Sequence, residues 1–394
     1  MNKSKKKRNN IVKQMIGLNK KESKGSSVDI TLVFTILFLI VFGIIMIYSS
    51  SYYASYETYG NHIEFLKKQT LWCIIGVLSM YLISQIPYKF ITQFWLLIYG
   101  SSIVCLILVL FIGDEINGAR RWLDLKIIGF QPSELAKLAT IIAMAVAITS
   151  TQKYITNIKV FLLNMLIVIL PTILIGMQNM STAFVVFAIG SSMVFVALPS
   201  FKAIFKFMIL PCGVLAGLLL VFNNISSFFV KGYQMGRWET FINGPWSDPQ
   251  GKGYQTIQSL YAVGSGGLFG KGLGYSMQKN GFIPEAHNDI IFSIVCEELG
   301  LFGAIALILL FILLIWRCMV IASKAKNILG LLIVSGVMVQ IAIQVIINIA
   351  VVTNSMPTTG MPLPFISYGG SSLLFLMIEM GLVLNVSRYT QPVD

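Results

Sequence analysis

The stretch EELGLFGAIALILLFILLIWR, residues 297–317, holds a long apolar run between two glutamates and an arginine. A bilayer core about 30 Å thick is crossed by roughly 20 helical residues that rise about 1.5 Å each. The stretch has that length, so we predict a membrane-spanning helix with Arg317 at one edge and Glu297 near the other. The apolar segment begins earlier, at about residue 288. If the helix continues that far, Asp289 lies about 12 Å beyond Glu297, in the lipid headgroup layer.

The composition extends this prediction to the whole chain. Of its 394 residues, 56% are hydrophobic and 11% are charged, whereas a soluble globular protein has about a quarter charged residues. The same length rule finds ten candidate spans, at approximately 30–50, 70–87, 90–112, 132–150, 159–177, 182–199, 203–222, 288–323, 327–352 and 367–387. We therefore predict an all-α integral membrane protein with about ten transmembrane helices, which form one domain over residues 28–388.

The net charge of +13 is concentrated in the N-terminal tail, residues 1–27, which holds nine Lys or Arg residues and one Glu. Beside a membrane span, such a tail is typical of a topology signal that also attracts anionic lipid, and this interpretation is favoured over nucleic-acid binding. Most other cations of short connections fall on the same side of the predicted topology: Lys89, Lys153, Lys159, Lys202, Lys206, Arg317, Lys324, Lys326 and Arg388. We predict that the tail and the short C-terminus, residues 389–394, are both cytoplasmic.

The longest connection, about residues 223–288, lies on the outer side between the seventh and eighth spans. Loops of this length in a compact domain are usually functional or disordered, and the Trp, Tyr and Gly content favours an ordered cap. Its stretch GSGGLFGKGLGYSMQK, residues 264–279, resembles a nucleotide loop only superficially, because Lys271 is followed by Gly and not by Ser or Thr. We interpret these glycines as tight turns.

The outer connection before the fourth span contains NGARRWLDLKIIGFQPSELAK, residues 117–137. Pro132 and Glu134 suit the first turn of a helix, and Glu134 is placed to pair with Lys137 one turn further in. Two interpretations of this pair remain open. It is either a structural ion pair between helices, or part of a cationic cavity for phosphate together with Arg120 and Arg121.

The stretch GFIPEAHNDIIFS, residues 281–293, places a polar cluster directly before the eighth span. Asp289 has two interpretations: a carboxylate that complements the helix dipole, or a base that accepts a proton from an attacking hydroxyl group. His287 and Asp289 alone do not make a metal site. The irregular stretch TNSMPTTGMPLPFISYGGSS, residues 353–372, is expected to border the same cavity, and Glu379 is an intramembrane acid that needs a partner.

Six blocks in this order resemble the SEDS family (shape, elongation, division and sporulation). They are NGARRW, QPSELAKL, GKGYQTIQSL, GSGGLFGKGLG, PEAHNDIIF with the following EELG, and TGMPLPFISYGGSS, and the resemblance runs from about residue 30 to 388. It implies a ten-span peptidoglycan glycosyltransferase that polymerises lipid II into β-1,4 glycan strands, with undecaprenyl diphosphate as the leaving group. The basic tail and the ISYGGSS stretch favour the division-type FtsW branch over the RodA branch.

The resemblance also implies partners and a location. The expected partners are a class B penicillin-binding protein and other divisome or elongasome membrane proteins, with no nucleic acid. The expected location is the outer face of the bacterial cytoplasmic membrane, at the division septum. A flippase or transporter of the lipid-linked precursor is the alternative, and a non-catalytic scaffold is a third. A transporter is disfavoured because the sequence shows no repeated halves and its distinctive residues cluster on the outer side.

The same resemblance assigns site residues. Asp289 matches the essential aspartate and is the expected catalytic base, while the expected substrate-binding residues are Arg120, Arg121, Glu134, Lys137, Arg237 and Lys279. The cations would neutralise the leaving diphosphate, alone or beside a divalent cation such as Mg²⁺ or Mn²⁺. The chain departs from the family at Asn179, where an Asp is common, and at Gln234, where an Arg is usual. The roles of Glu297, Glu298 and Glu379 remain open.

Overall fold

The computed structural model describes residues 28–116, 119–124, 129–199 and 232–390, and within them nine helices are long and apolar enough to cross a membrane. These are α1 Ile30–Tyr59, α2 Glu64–Gln85, α3 Tyr88–Ile112, α4 Pro132–Tyr154, α5 Ile158–Gly176, α6 Met180–Ala197, α9 Ile291–Ser323, α10 Ile328–Val352 and α11 Gly370–Ser387. Two shorter helices, α7 Gly232–Asn243 and α8 Tyr254–Ser265, lie in the long outer connection. The all-α prediction is confirmed. The predicted seventh span, 203–222, and the basic tail lie outside the described residues.

Several helices begin where a polar side chain caps the first turn. The side chains of Asp29, Asn157, Asn179 and Asn327 accept hydrogen bonds from backbone N–H groups at the starts of α1, α5, α6 and α10. These N–H groups have no partner inside the helix, so the caps stabilise the starts. The spans therefore begin close to their predicted positions.

Helix α1 continues well past its predicted end at residue 50. Ser51 and Ser55 are buried on its inner face, and the helix ends at Gly60, whose positive φ of 66° lets its N–H donate to the Tyr56 carbonyl. This left-handed end is a common way to stop a helix. The polar residues after 50 were predicted to form a loop because they end the apolar run, but a helix can continue into water.

Helix α9 is broken at Gly300, where φ is 68° and ψ is −167°. At the break, backbone N–H and carbonyl groups of α9 lack partners within the helix, and the backbone of the outer loop forms hydrogen bonds with them. Lys271 N–H donates to the Glu297 carbonyl, and Leu301 N–H donates to the Gly267 carbonyl. The expectation of one continuous helix is therefore wrong, and the 12 Å distance derived from it for Asp289 does not apply. Residues 291–299 form a separate helical segment outside the span 301–323.

The outer connection between α3 and α4 contains a small antiparallel sheet that the sequence analysis did not predict. Its strands are β1 Asp114–Ile116, β2 Ala119–Asp124 and β3 Gly129–Phe130, in the order β1-β2-β3. The strands are too short to show a clear alternation of apolar and polar residues. Arg121 lies on β2, which pairs with β3, and β3 ends two residues before Pro132. The sheet therefore places Arg121 close to the start of α4.

Helices α4, α10 and α11 form the centre of the described bundle. Helix α4 packs against α3, α5, α6 and α10, and α11 packs against α2 and α10. The interior is mostly apolar, but it contains a few charged side chains, among them Lys137 and Glu379. Charged groups at this depth need partners, so their positions indicate where function or fixed helix contacts are found.

Candidate functional site

A cavity of about 1240 Å³ lies among the outer ends of the helices. Its wall includes the starts of α4 and α6, the turn before α9, and the irregular segment between α10 and α11. Five of the seven predicted site residues line it: Arg121, Glu134, Lys137, Arg237 and Asp289. The structure thus brings together residues that are separated by more than 160 positions in the sequence.

Asp289 is half-buried in the turn directly before α9. The side-chain amide of Asn348, on α10, donates to the Asp289 backbone carbonyl at 2.7 Å and to the Met361 carbonyl at 2.8 Å. The backbone near Gly360 lies against the carboxylate, because a Cβ at that position would be 3.8 Å from Asp289 Oδ2. Asn348 therefore holds the backbone of Asp289, and the Asp289 carboxylate lies beside the Gly360 backbone at the cavity wall.

Burial raises the pKa of the Asp289 carboxyl above its ordinary value, and the charge of Glu285 acts in the same direction. A hydrogen bond from its own backbone N–H, the charge of Arg237 and that of Arg121 oppose this effect and lower the pKa. The net direction is upward. A carboxylate with a raised pKa is a stronger proton acceptor near neutral pH, which suits a general base.

Two arginines are held at the cavity wall by backbone carbonyls. Arg237 Nη1 donates to the Thr358 carbonyl at 3.0 Å, and Arg121 Nε donates to the Gln178 carbonyl at 3.2 Å. Both guanidinium groups also act on the Asp289 carboxyl through their positive charge. Fixed cations of this kind bind phosphate groups well, because each guanidinium presents several donors in one plane.

Glu134 and Lys137 form the ion pair that their spacing predicts. Lys137 Nζ lies 2.9 Å from Glu134 Oε2, and the two side chains are only 2% and 7% exposed. Both still line the cavity. Breaking such a buried pair would leave an uncompensated charge, so the pair holds Lys137 in place as well as providing a cation.

Two predicted residues lie elsewhere. Lys279 Nζ is 2.6 Å from Glu298 Oε1 and 2.8 Å from Ser49 Oγ, in a buried cluster behind the helix break. Arg120 Nη1 donates to the Phe111 carbonyl at 3.4 Å, at the end of α3. Neither residue is among those that line the cavity. The structure therefore does not bring Lys279 or Arg120 to Asp289.

The buried cluster gives Glu297 and Glu298 their partners. Glu297 accepts from Lys271 Nζ at 2.7 Å and from the Met277 N–H at 3.1 Å, while Glu298 pairs with Lys279. These contacts attach the glycine-rich loop to residues 291–299, directly after Asp289. The cluster fixes the segment that carries Asp289.

The structure also shows the surroundings of His287, Glu379 and Asn348. Burial lowers the pKa of His287 to about 4, so its ring is neutral at physiological pH. The ring packs 4.4 Å from that of Phe65, which agrees with a role in shaping the loop. Glu379 accepts a hydrogen bond of 2.7 Å from Gln340 on α10. Asn348 was missed by the sequence analysis, because an amide inside an apolar run gives no sign of which carbonyls it meets.

No group of three or more His, Cys, Asp or Glu side chains that could hold a metal ion is found in the part of the chain that the structure describes. Asp289 and Glu285 are neighbouring carboxylates of the cavity. Mg²⁺ is often bound by one or two carboxylates together with substrate phosphates. Glu285 fits that pattern in the presence of a bound diphosphate.

Comparison with known proteins identifies similar chains over nearly the full length. The family described as cell cycle protein, which covers FtsW, RodA and SpoVE, matches residues 30–392. Stage V sporulation protein E of Bacillus subtilis is 38% identical over 94% of this chain and 99% of its own length. A protein of Trichlorobacter lovleyi named "Probable peptidoglycan glycosyltransferase FtsW" is 36% identical over 95% of this chain and 96% of its own length.

Solved structures show the same similarity. A chain from a peptidoglycan synthase complex, described for its coordination of polymerization and crosslinking, matches with a TM-score of 0.74 and 29% identity. It covers 93% of this chain and 99% of its own length. The rod shape determining protein RodA of Thermus thermophilus matches with a TM-score of 0.66 and 27% identity, over 93% of this chain and 99% of its own.

Proposed function

Because the chain belongs to the cell cycle protein family of FtsW, RodA and SpoVE, it is a membrane-embedded peptidoglycan glycosyltransferase, and we propose that the outer cavity is its catalytic site. The observation that carries this proposal is the shared cavity wall of Asp289, Arg121, Lys137 and Arg237. A base and several cations are what glycosyl transfer from a lipid diphosphate requires. No second carboxylic acid is needed, because a diphosphate leaves without being protonated.

In the proposed reaction, Asp289 accepts the proton and the three cations stabilise the leaving group. The 4-hydroxyl oxygen of the acceptor sugar attacks C1 of the α-linked donor, and its proton passes to the Asp289 carboxylate. The new C1–O4 bond forms as the bond from C1 to the diphosphate oxygen breaks, which inverts the configuration to β. Arg121, Lys137 and Arg237 stabilise the negative charge of the departing undecaprenyl diphosphate.

A divalent cation is compatible with this site. Mg²⁺ or Mn²⁺ would be held by Glu285 and the diphosphate oxygens, where it would supply further positive charge and leave Asp289 able to accept the proton. Polymerisation after treatment with EDTA, and after adding back Mg²⁺ or Mn²⁺, tests this part of the proposal. Full activity in EDTA would assign charge neutralisation to the arginines and Lys137 alone.

The same proposal covers partners and location. A relative that coordinates polymerisation with crosslinking supports a crosslinking partner here, which we expect to be a class B penicillin-binding protein. The FtsW names among the relatives support a division role at the septum. Both termini are expected to be cytoplasmic, as the charge of the sequence predicts. A fluorescently tagged copy that follows the side wall instead of the septum would contradict the division role.

The catalytic role is tested with the full chain and its partner on purified lipid II. Asp289→Asn is expected to lower turnover by about 100-fold or more, the usual contribution of a general base. Asp248→Asn is the matched control: it changes an exposed aspartate of the same outer connection that is not among the cavity residues. If both variants polymerise lipid II at the wild-type rate, Asp289 is not the base.

A transporter of lipid-linked precursor fits the geometry less well. Transporters of this kind bind substrate near the membrane midplane, between structurally related halves. Here Arg121, Arg237 and Asp289 all come from outer connections of the chain. Polymerisation by the purified protein in detergent, where no second leaflet exists, separates the two activities.

A further inference from the structure

The outer end of α1 carries exposed aromatic rings that the proposed reaction does not use. Tyr52, Tyr56 and Tyr59 are 43%, 56% and 46% exposed. The ring of His62 is stacked on Tyr52 at 4.0 Å and on Tyr56 at 4.6 Å, with interplanar angles of 11° in both cases. His62 thereby covers one face of Tyr52 and one face of Tyr56, and Lys68 Nζ lies 4.2 Å from the centroid of the Tyr59 ring. Tyr52, Tyr56, Tyr59 and His62, which we call the aromatic strip, are held in fixed orientations, and the three tyrosines keep part of their surface exposed.

A membrane-interface belt of tyrosines does not account for the whole strip. Helix α1 starts at the cytoplasmic edge, where Asp29 pairs with Arg317. About 20 residues cross the hydrocarbon core, so its outer edge lies near Ser49. Ser49 contacts Glu298 beside the outer end of the span 301–323, which agrees with this depth.

The strip extends beyond that edge. Tyr56 and Tyr59 lie about 10 Å and 15 Å past Ser49 along the helix. The interfacial layer adds only about 5 to 8 Å on each side of the core. The outer half of the strip therefore stands in water, where apolar ring surface is exposed at a cost unless it binds something.

The strip is continuous with the catalytic cavity. The ring of Tyr59 lies 5.5 Å from that of Phe65, and Phe65 lies 5.0 Å from Tyr368, a cavity residue. In addition, Lys68 Nζ donates to the Tyr59 hydroxyl at 3.1 Å, and Lys68 also lines the cavity. A polymer that leaves the cavity on this side passes directly onto the strip.

Sugar rings are the ligand class that fits such a surface. A pyranose ring presents an apolar C–H face that stacks on an aromatic ring, while tyrosine hydroxyls and a lysine amine hydrogen-bond the sugar hydroxyl and amide groups. We propose that the aromatic strip binds the glycan strand as it extends from the cavity. This inference rests on the proposed polymerase function, and it assigns the strip to retention of the strand and not to catalysis.

The first test measures strand length and rate separately, with the full chain, its partner and labelled lipid II. The double variant Tyr52→Ser/Tyr56→Ser removes two exposed rings and is expected to hold the strand about tenfold less tightly. Glycan strands on a gel should become shorter, while the initial rate of lipid II consumption stays near the wild-type rate. Tyr52→Phe/Tyr56→Phe retains the rings and should preserve most of the strand length.

The matched control is Tyr275→Ser, which removes a tyrosine that is 74% exposed on the outer surface but outside the strip. Wild-type strand lengths in the double serine variant would overturn the proposal. Equal shortening in Tyr275→Ser would overturn it as well, because the effect would then belong to the surface in general. If the wild-type protein makes no glycan at all, the polymerase function fails instead.

A second test does not depend on catalysis. Saturation-transfer NMR with a soluble tetramer of β-1,4-linked N-acetylglucosamine should show contact with the wild-type protein and with Asp289→Asn. The signal should fall in Tyr52→Ser/Tyr56→Ser. Equal signals from the wild type and the double serine variant would overturn the strip as a glycan-binding surface even if polymerisation is normal.

Discussion

The side-chain amide of Asn348 donates a hydrogen bond of 2.7 Å to the backbone carbonyl oxygen of Asp289. The same amide donates to the Met361 carbonyl at 2.8 Å, so one buried side chain joins the turn that carries Asp289 to the segment that covers it. Asn348 lies on α10 and is 1% exposed. We expect it to act as a positioning residue, which sets where the Asp289 carboxylate stands without contacting the reacting atoms.

Asn348→Leu should lower turnover more than it affects KM. The substitution leaves the buried Met361 carbonyl without this donor, at about 1–3 kcal/mol, and the partly buried Asp289 carbonyl without it at a smaller cost, and it releases the turn. A displacement of about 1 Å at a reacting group can lower the rate by about 100-fold. The control is Asn164→Leu, which removes a buried amide that donates to Thr151 on the cytoplasmic side of α4. Comparable losses of turnover in both variants, at comparable thermal stability, would refute the positioning role.

The pH dependence of turnover should follow the charges around Asp289. Below its pKa the carboxyl is protonated and cannot accept a proton, so turnover falls as the pH falls. Arg237 lowers the pKa of Asp289, so Arg237→Gln should move the acid limb to higher pH. Glu285 raises that pKa, so Glu285→Gln should move the limb to lower pH. Profiles of kcat against pH that shift in the same direction in both variants would contradict Asp289 as the titrating base.

The membrane spans were predictable because their length and composition follow from the bilayer alone. The structure differs from the predicted spans where contacts between residues distant in sequence decide the conformation. Nothing local to Gly300 distinguishes a helix break from a glycine inside a span, since the break depends on backbone groups supplied by the loop at 267–272. The extension of α1 likewise depends on burial of Ser51 and Ser55.

In the candidate site, too, contacts between residues close in sequence were predictable and contacts between distant residues were not. The contact between Glu134 and Lys137 was predictable because it lies within one helical turn. The position of Lys279 was not, because its partner Glu298 meets it only after the loop folds back on α9. The position of Asp289 before the eighth span made it a candidate base, and the family resemblance favoured that interpretation. Its support by Asn348 could be seen only in three dimensions.

The two interpretations of the Glu134–Lys137 pair give different results in a double variant. Lys137→Met should lower the free energy of unfolding by about 3–5 kcal/mol, because Glu134 remains buried without its partner. Glu134→Gln/Lys137→Met should recover part of that stability, because Glu134 no longer carries a charge, whereas the nearby buried Glu379 still loses the charge of Lys137. If Lys137 also neutralises the diphosphate, the double variant stays inactive although it is stable. Near-wild-type polymerisation by the stable double variant would reduce the pair to a structural role.

The control for that experiment is the exposed pair of the same spacing on α2. Lys67 Nζ lies 3.7 Å from Glu64 Oε2, and the two side chains are 57% and 31% exposed. Exposed pairs contribute about 0–1 kcal/mol, so Lys67→Met should leave the unfolding midpoint and turnover almost unchanged. A large loss in Lys67→Met would show that the assay responds to any charge change near the outer face.

The break at Gly300 should tolerate no side chain. Its φ of 68° and ψ of −167° belong to a region that essentially only glycine occupies, at a cost of about 1–3 kcal/mol for other residues. A Cβ there would also meet the backbone of Gly270 and Leu268. Gly300→Ala should therefore detach the loop from α9, lowering both the thermal unfolding midpoint in detergent and the turnover of lipid II.

Gly264→Ala is the matched substitution, because Gly264 lies in α8 of the same outer connection and a Cβ there has no atom within 4 Å. Replacing a helical glycine by alanine stabilises by about 0.4–1 kcal/mol where the conformation allows it. The two alanine variants should thus shift the midpoint in opposite directions. If Gly300→Ala unfolds at the wild-type temperature and polymerises normally, the break does not hold Asp289 in place and α9 functions as a continuous helix.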